Sequence, residues 1–160
     1  NDPDEERLLH RLNVVASEAA SRGITLAVEF MVFTDIKTLA QARALVEKVE
    51  GPAVILPDSL HLDRSGGTPA ELATMPAELI AYAQLCDTRA EPRPANETEA
   101  LAEARSGRVL PGDGDLPLAD FVRALPDGTP LGVEAPVREL PLETRCARAH
   151  ASLLRTLPEG

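Results

Sequence analysis

The chain has 160 residues, 44% hydrophobic and 26% charged, which suits a single domain with a sizeable core. A net charge of −10, with three Phe, one Tyr and no Trp, leaves little that could grip phosphates or stack on bases, so nucleic acid is excluded as an expected partner. No apolar run reaches the roughly 18 residues that a membrane span needs, so no membrane partner is expected either.

The opening Asn1-Asp2-Pro3-Asp4-Glu5-Glu6 is acidic, unlike the basic and then apolar start of a signal peptide, and the lack of an initiator Met points to a processed or truncated polypeptide. Residues 4–22 place Leu8, Leu9, Leu12, Val15 and Ala19 at helical spacing, with Gly23 as the stop. A β-type run follows from Ile24 to Met31. Thr38-Leu39-Ala40-Gln41 reads as a capping box opening a helix whose apolar face holds Leu39, Ala42, Leu45, Val46 and Val49, ended by Gly51-Pro52. Ala53–Leu56 is the next strand. After the Ser65-Gly66-Gly67 loop, Thr68-Pro69-Ala70-Glu71 opens a short helix. The third strand is expected over Leu79–Cys86, and Thr88–Asn96 as irregular loop. Asn96 caps a helix running to about Arg105, and Pro111-Gly112-Asp113-Gly114-Asp115 is a turn. A helix near Leu118–Leu125, a strand over Thr129–Glu134 and a helix over Pro141–Leu157 complete the chain. Cys86 and Cys146 match no metal or redox spacing and are expected as reduced, mostly buried thiols of a cytoplasmic protein.

Apolar strands alternating with helices predict an α/β domain over 1–160 with a parallel sheet. Each strand ends in, or just before, a polar residue: Glu29, Asp58 with His61 beyond, Gln84 with Asp87 beyond, and Glu134. In parallel α/β folds the carboxyl ends of strands are where ligands bind. Two Glu, one Asp and one amide form an oxygen donor set suited to a divalent metal, Mn²⁺ or Mg²⁺ more than Zn²⁺. Such an ion can chelate neighbouring hydroxyl and carbonyl oxygens of a sugar and stabilise an enediolate, while paired carboxylates move a proton on and off carbon. His61 could bond a substrate hydroxyl, ligate the metal, or simply bond backbone. Arg108 could reach the strand mouth or remain a solvated loop residue. His10 and His150 read as helix-surface or packing residues, and Asp63, Arg64, Asp113 and Asp115 as turn and cap residues.

The chain also resembles the C-terminal half of the xylose isomerase-like TIM barrels, a family of sugar-phosphate isomerases and epimerases that includes endonuclease IV-type enzymes. The carriers are Val28-Glu29-Phe30, Asp58-Ser59-Leu60-His61, Tyr82-Ala83-Gln84-Leu85-Cys86-Asp87, Arg108-Val109-Leu110-Pro111-Gly112-Asp113-Gly114 and Val133-Glu134-Ala135-Pro136, in that order. The resemblance implies half of a TIM barrel, strands five to eight with their covering helices. It implies Glu29, Asp58 and Glu134 as metal ligands, Glu29 and Glu134 also as the catalytic acid/base pair, and His61 and Arg108 as substrate contacts. Gln84 stands where the family usually carries a metal-binding His, a departure that weakens ligation and shifts selectivity away from Zn²⁺. It also argues against the His-rich zinc chemistry of endonuclease IV-type enzymes.

The leading expectation is therefore a metal-dependent isomerase or epimerase of a small sugar, sugar phosphate or polyol. One alternative is a non-catalytic half-barrel or ligand-binding relative with a degraded metal site. A further alternative is a metal-assisted hydrolase or lyase using the same ligands. Four βα units leave two open sheet edges, so the expected partner is the missing N-terminal half-barrel or a second copy in a homo-oligomer.

Overall fold

The computed structural model describes residues 4–138 and 140–157, so the acidic start at Asn1–Pro3 lies outside the described residues. Helix α1 (Glu5–Ala20) opens on Asp4, whose carboxylate accepts from the Arg7 N–H at 3.0 Å, with Glu5 and Glu6 facing the positive end of the helix dipole. It closes at Gly23, whose φ of +69° is a left-handed turn that glycine adopts freely. Strand β1 (Leu26–Glu29) is shorter than its apolar run. Helix α2 (Leu39–Val46) carries the expected capping box between Thr38 and Gln41, and it buries Leu39, Ala42, Leu45 and Val46. Strand β2 (Ala53–Leu56) matches its predicted span.

Helix α3 (Ser59–Arg64) follows at once, capped by Asp58. Six residues are too few to display a helical period, so the sequence reads there as loop. Helix α4 (Pro69–Leu72) has the expected box between Thr68 and Glu71. The predicted third strand is cut back: Ala77–Leu79 form a 3₁₀ turn, and β3 covers only Ala83–Leu85. Helix α5 (Glu97–Ala102) runs into a π-helical turn over Glu103–Gly107, in place of one helix to Arg105. Helix α6 (Leu118–Ala124), strand β4 (Leu131–Val133) and helix α7 (Leu142–Thr156) complete the described fold.

The strands β1 and β2 pair in parallel, Leu26 with Ala53 through Glu29 with Leu56, and β3 and β4 do the same from Ala83 with Leu131 to Leu85 with Val133. Single parallel bridges, Ile55 to Ile80 and Asp58 to Gln84, join the two pairs. The order in space is therefore the order in the chain, as expected of successive βα units. Phe30, Ile55, Leu62, Leu85, Phe121 and Leu125 belong to one buried apolar cluster between strands and helices. Cys86 is buried within the fold, but Cys146 is exposed on α7, correcting the expectation that both thiols are covered. His10 and His150 are exposed on their helices, as the sequence implies.

Beyond β3, the buried carboxylate of Asp87 accepts N–H bonds from Thr88 at 2.9 Å and from Gly112 and Leu116 at 3.0 Å. It organises the Pro111–Asp115 turn. Gly114 packs so closely here that a Cβ would overlap the Asp87 carboxylate and the Thr88 carbonyl.

Candidate functional site

The four strand-end residues are set by the ladder itself. Glu29 is the last residue of β1. The Asp58 Oδ1 accepts the His61 N–H at 3.0 Å, so the carboxylate is fixed as the cap of α3. The Gln84 N–H donates to the Pro57 carbonyl at 2.9 Å, and the Glu134 N–H to the Leu85 carbonyl at 2.9 Å. These bonds bring one ligand atom each from Glu29, Asp58 and Glu134 to within 4.8 Å of one another. Glu29 and Glu134 remain reachable, with side chains 26% and 46% exposed, while Asp58 is fully buried.

Gln84 lies between the two glutamates. Turned so that its nitrogen donates, its amide bonds Glu29 Oε1 and Glu134 Oε2 at 3.1 Å each. The opposite orientation sets its oxygen against the same carboxylates, which is favourable only with a cation among them.

Arg108 is nearly buried beneath the cluster. Its Nη1 donates to Asp58 Oδ2 at 2.6 Å and lies 3.3 Å from Glu134 Oε2 and 3.2 Å from the Cys86 Sγ. Its Nη2 donates to His61 Nε2 at 3.1 Å, so that ring nitrogen accepts and the neutral tautomer carries its proton on Nδ1. The His61 ring is itself covered, with Phe33 edge-on at 5.7 Å between centroids. Sequence spacing leaves open a solvated Arg108 and a loop His61. The structure instead buries both and bonds them to each other.

Electrostatics follow from this crowding. Burial, with Asp58 and Glu134 adding, pushes the Glu29 carboxyl up to about 7, against the opposing pull of Arg108. Burial also raises Glu134, partly offset by Arg108. Burial lowers His61 to about 4, with Arg108 adding to the effect, so the ring is neutral near neutral pH. Burial raises the Cys86 thiol to about 12, which keeps it protonated and inert. Arg108 stays charged, because the carboxylates of Asp58 and Glu134 outweigh the cost of burying it.

The residues fit a divalent cation. The donors are all oxygens, and one guanidinium among three carboxylates leaves two negative charges that such an ion would neutralise. Cys86, Phe33 and the contacts of Arg64 carry no sequence signal for the site, because each acts through a long-range approach. Arg64 in particular is no simple turn residue: it pairs with Glu103, 39 positions away.

Parallel strands covered by helices, with polar groups gathered at their carboxyl ends, are an arrangement that TIM-barrel proteins share. The chain belongs to the xylose isomerase-like TIM barrel family, whose match covers residues 1–157. Among curated relatives, the 3-dehydroshikimate dehydratase of Pseudomonas putida is 26% identical over 121 residues, 74% of this chain and 18% of that protein. The 3-dehydroshikimate dehydratase of Pseudomonas aeruginosa is 29% identical over 113 residues, 69% of this chain and 17% of that protein. A solved xylose isomerase-like TIM barrel/4-hydroxyphenylpyruvate dioxygenase fusion protein superposes with a TM-score of 0.81 at 25% identity, over 96% of this chain and 25% of its own. The chain thus spans less than a fifth of the length of these curated relatives.

Proposed function

We propose that this chain forms the metal-holding, proton-transferring part of an enzyme acting on a small polyhydroxylated carbonyl compound. The observation that carries the reading is the approach of Glu29, Asp58 and Glu134 within 4.8 Å at the strand ends. Glu29, Asp58, Gln84 and Glu134 are the proposed ligands, with Mn²⁺ or Mg²⁺ favoured over Zn²⁺ by the all-oxygen donor set. A divalent ion held there would draw electron density from a carbonyl oxygen of the substrate and acidify the adjacent carbon.

Glu29, whose carboxylate a bound ion would keep ionised, is the proposed base that takes the proton from that carbon. The electron pair moves onto the carbonyl, giving an enolate. Glu134, across the Gln84 amide, is the proposed acid. His61 and Arg108, expected from the sequence to contact substrate, are buried and bonded to each other, and are proposed instead to support Asp58 from below, Arg108 by its charge and His61 by its neutral ring. In the first outcome Glu134 delivers its proton to a departing β-hydroxyl, and water is lost. The names of the two Pseudomonas relatives support this dehydratase outcome. In the second, Glu134 returns a proton to carbon, giving an isomer or epimer of a sugar or polyol. The family and the paired glutamates support that alternative.

In this reading the four βα units are half of an eight-stranded barrel, the other wall coming from an upstream half or a second copy. The test incubates the Mn²⁺-loaded chain in D₂O with 3-dehydroshikimate and with a panel of ketoses and inososes. Loss of one water by mass marks the dehydratase, and one deuterium gained without mass loss of water marks the isomerase. Neither change with any substrate would favour a non-catalytic chain.

A further inference from the structure

Arg64 and Glu103 take no part in the chemistry above, yet among the described residues they form the best-shielded ion pair outside the carboxylate cluster. The Arg64 side chain is only 4% exposed. Its Nε and Nη2 clasp both Glu103 oxygens, at 2.8 and 2.7 Å, and its Nη1 bonds Asp63 at 2.6 Å. Glu103 also accepts from the Thr88 hydroxyl at 2.9 Å.

The position of this pair matters more than its strength. Arg64 ends α3, the helix that Asp58 begins. Glu103 begins the π-helical turn that leads to Arg108. Within that turn the carbonyl of Ala104, next to Glu103, accepts the Arg108 Nε–H at 2.9 Å. The far end of the same guanidinium reaches Asp58 at 2.6 Å. A closed ring results: Asp58, α3, Arg64, Glu103, Ala104, Arg108, and back to Asp58. Wide π turns of this kind are rare and concentrate at functional sites.

We propose that the Arg64–Glu103 pair is a positioning device that holds the π turn against α3 and so aims Arg108 at Asp58. Neither residue touches the reacting atoms. They act through Arg108, which fixes the direction of the Asp58 carboxylate relative to Glu29 and Glu134. The metal readout rests on the proposed function; the ring itself does not.

The experiment compares the full chain with Glu103→Gln, Arg64→Met and, as a stability control, Leu125→Ala, a core deletion. Two quantities are read: Mn²⁺ affinity from the electron paramagnetic resonance of the free ion, and the ¹H–¹⁵N resonance of the Arg108 Nε–H. Loss of the pair should weaken Mn²⁺ binding about tenfold or more, as removal of groups supporting metal ligands does. The Arg108 resonance should move towards that of a free arginine. Leu125→Ala should lower the melting temperature and leave both readings unchanged.

Wild-type affinity with an unmoved resonance in folded Glu103→Gln would overturn the proposal. Equal weakening in Leu125→Ala would reduce the effect to lost stability and overturn it as well. Should a single variant fail to fold, Arg64→Met with Glu103→Leu removes both charges together, and the same outcomes decide. Failure of the wild-type chain to take up Mn²⁺ would instead refute the metal reading, and the Arg108 resonance would then judge the ring alone.

Discussion

Glu29 and His61 lie 3.7 Å apart, yet they bind the fold to pH in opposite senses. The carboxyl of Glu29 is pushed up to about 7 from 4.5, so its contribution to stability is complete below 4.5 and is lost as pH rises through 7. His61 is lowered to about 4 from 6.5, so its contribution is present above 6.5 and lost as pH falls through 4. Melting curves of the chelator-treated chain should therefore show a plateau near pH 4.5–6.5, where the two opposite slopes cancel, and fall on either side of it. Glu29→Gln should remove the alkaline decline and keep the acid one. Metal binding should carry a related signature. An ion that needs Glu29 ionised must displace its proton, so affinity should climb about tenfold per pH unit below 7 and level off above it, as titration calorimetry in several buffers would show. Glu134→Gln, at a half-exposed side chain, should leave the melting temperature nearly unchanged and slow product formation about 100-fold or more, while Glu29 still exchanges the substrate's carbon proton with solvent. Undiminished product formation would remove Glu134 from the proton path. The identities of these residues were legible in the chain, because a polar residue closing an apolar strand is a local pattern. Their neighbours were not. Nothing near Arg108 in sequence announces a contact with Asp58, 50 positions away.

At the level of elements, the chain is most readable where a side chain bonds its own backbone. The boxes at Thr38 and Thr68 appear as the sequence spells them, and both helices start on schedule. Removing one such cap, as in Thr38→Ala, should cost about 1 kcal/mol in denaturant unfolding. The turn beyond β3 is stiffer. Gly114→Ala forces a methyl into the space of the Asp87 carboxylate and the Thr88 carbonyl, and it should cost roughly 2 kcal/mol or more. A smaller loss than that of Thr38→Ala would mean that the turn can open without penalty. Where elements lack a local signature, the sequence misleads. The apolar run Leu79–Cys86 reads as strand, but only Ala83–Leu85 pair continuously, Ile80 adding a single bridge to Ile55, since pairing rather than composition sets strand length. The change from α5 to a π turn likewise depends on distant contacts, those of Glu103 with Arg64 and Thr88.

On the scale of the molecule, the outer strands β1 and β4 each have one paired neighbour within the chain. Unpaired edges of this kind favour association. The helices beside them are not electrically alike. Among its charged residues α1 holds Glu5, Glu6 and Glu18 against two arginines, and α7 holds Arg145, Arg148 and Arg155 against Glu143. Both also expose apolar side chains, Val14 and Val15 on α1 and Leu142 and Leu154 on α7. Light scattering at micromolar concentration should find a species larger than the monomer, dissociating as salt screens the two helices. A monomer at all ionic strengths would exclude this association. The order of the strands has another outcome, felt while the chain is being made. Since space follows sequence, Glu29, Asp58 and Gln84 emerge from the ribosome one after another, and Glu134 arrives last. Any product that stops before Glu134 carries a cluster without its final carboxylate. Tight capture of an ion at the proposed site would then require that synthesis has passed β4.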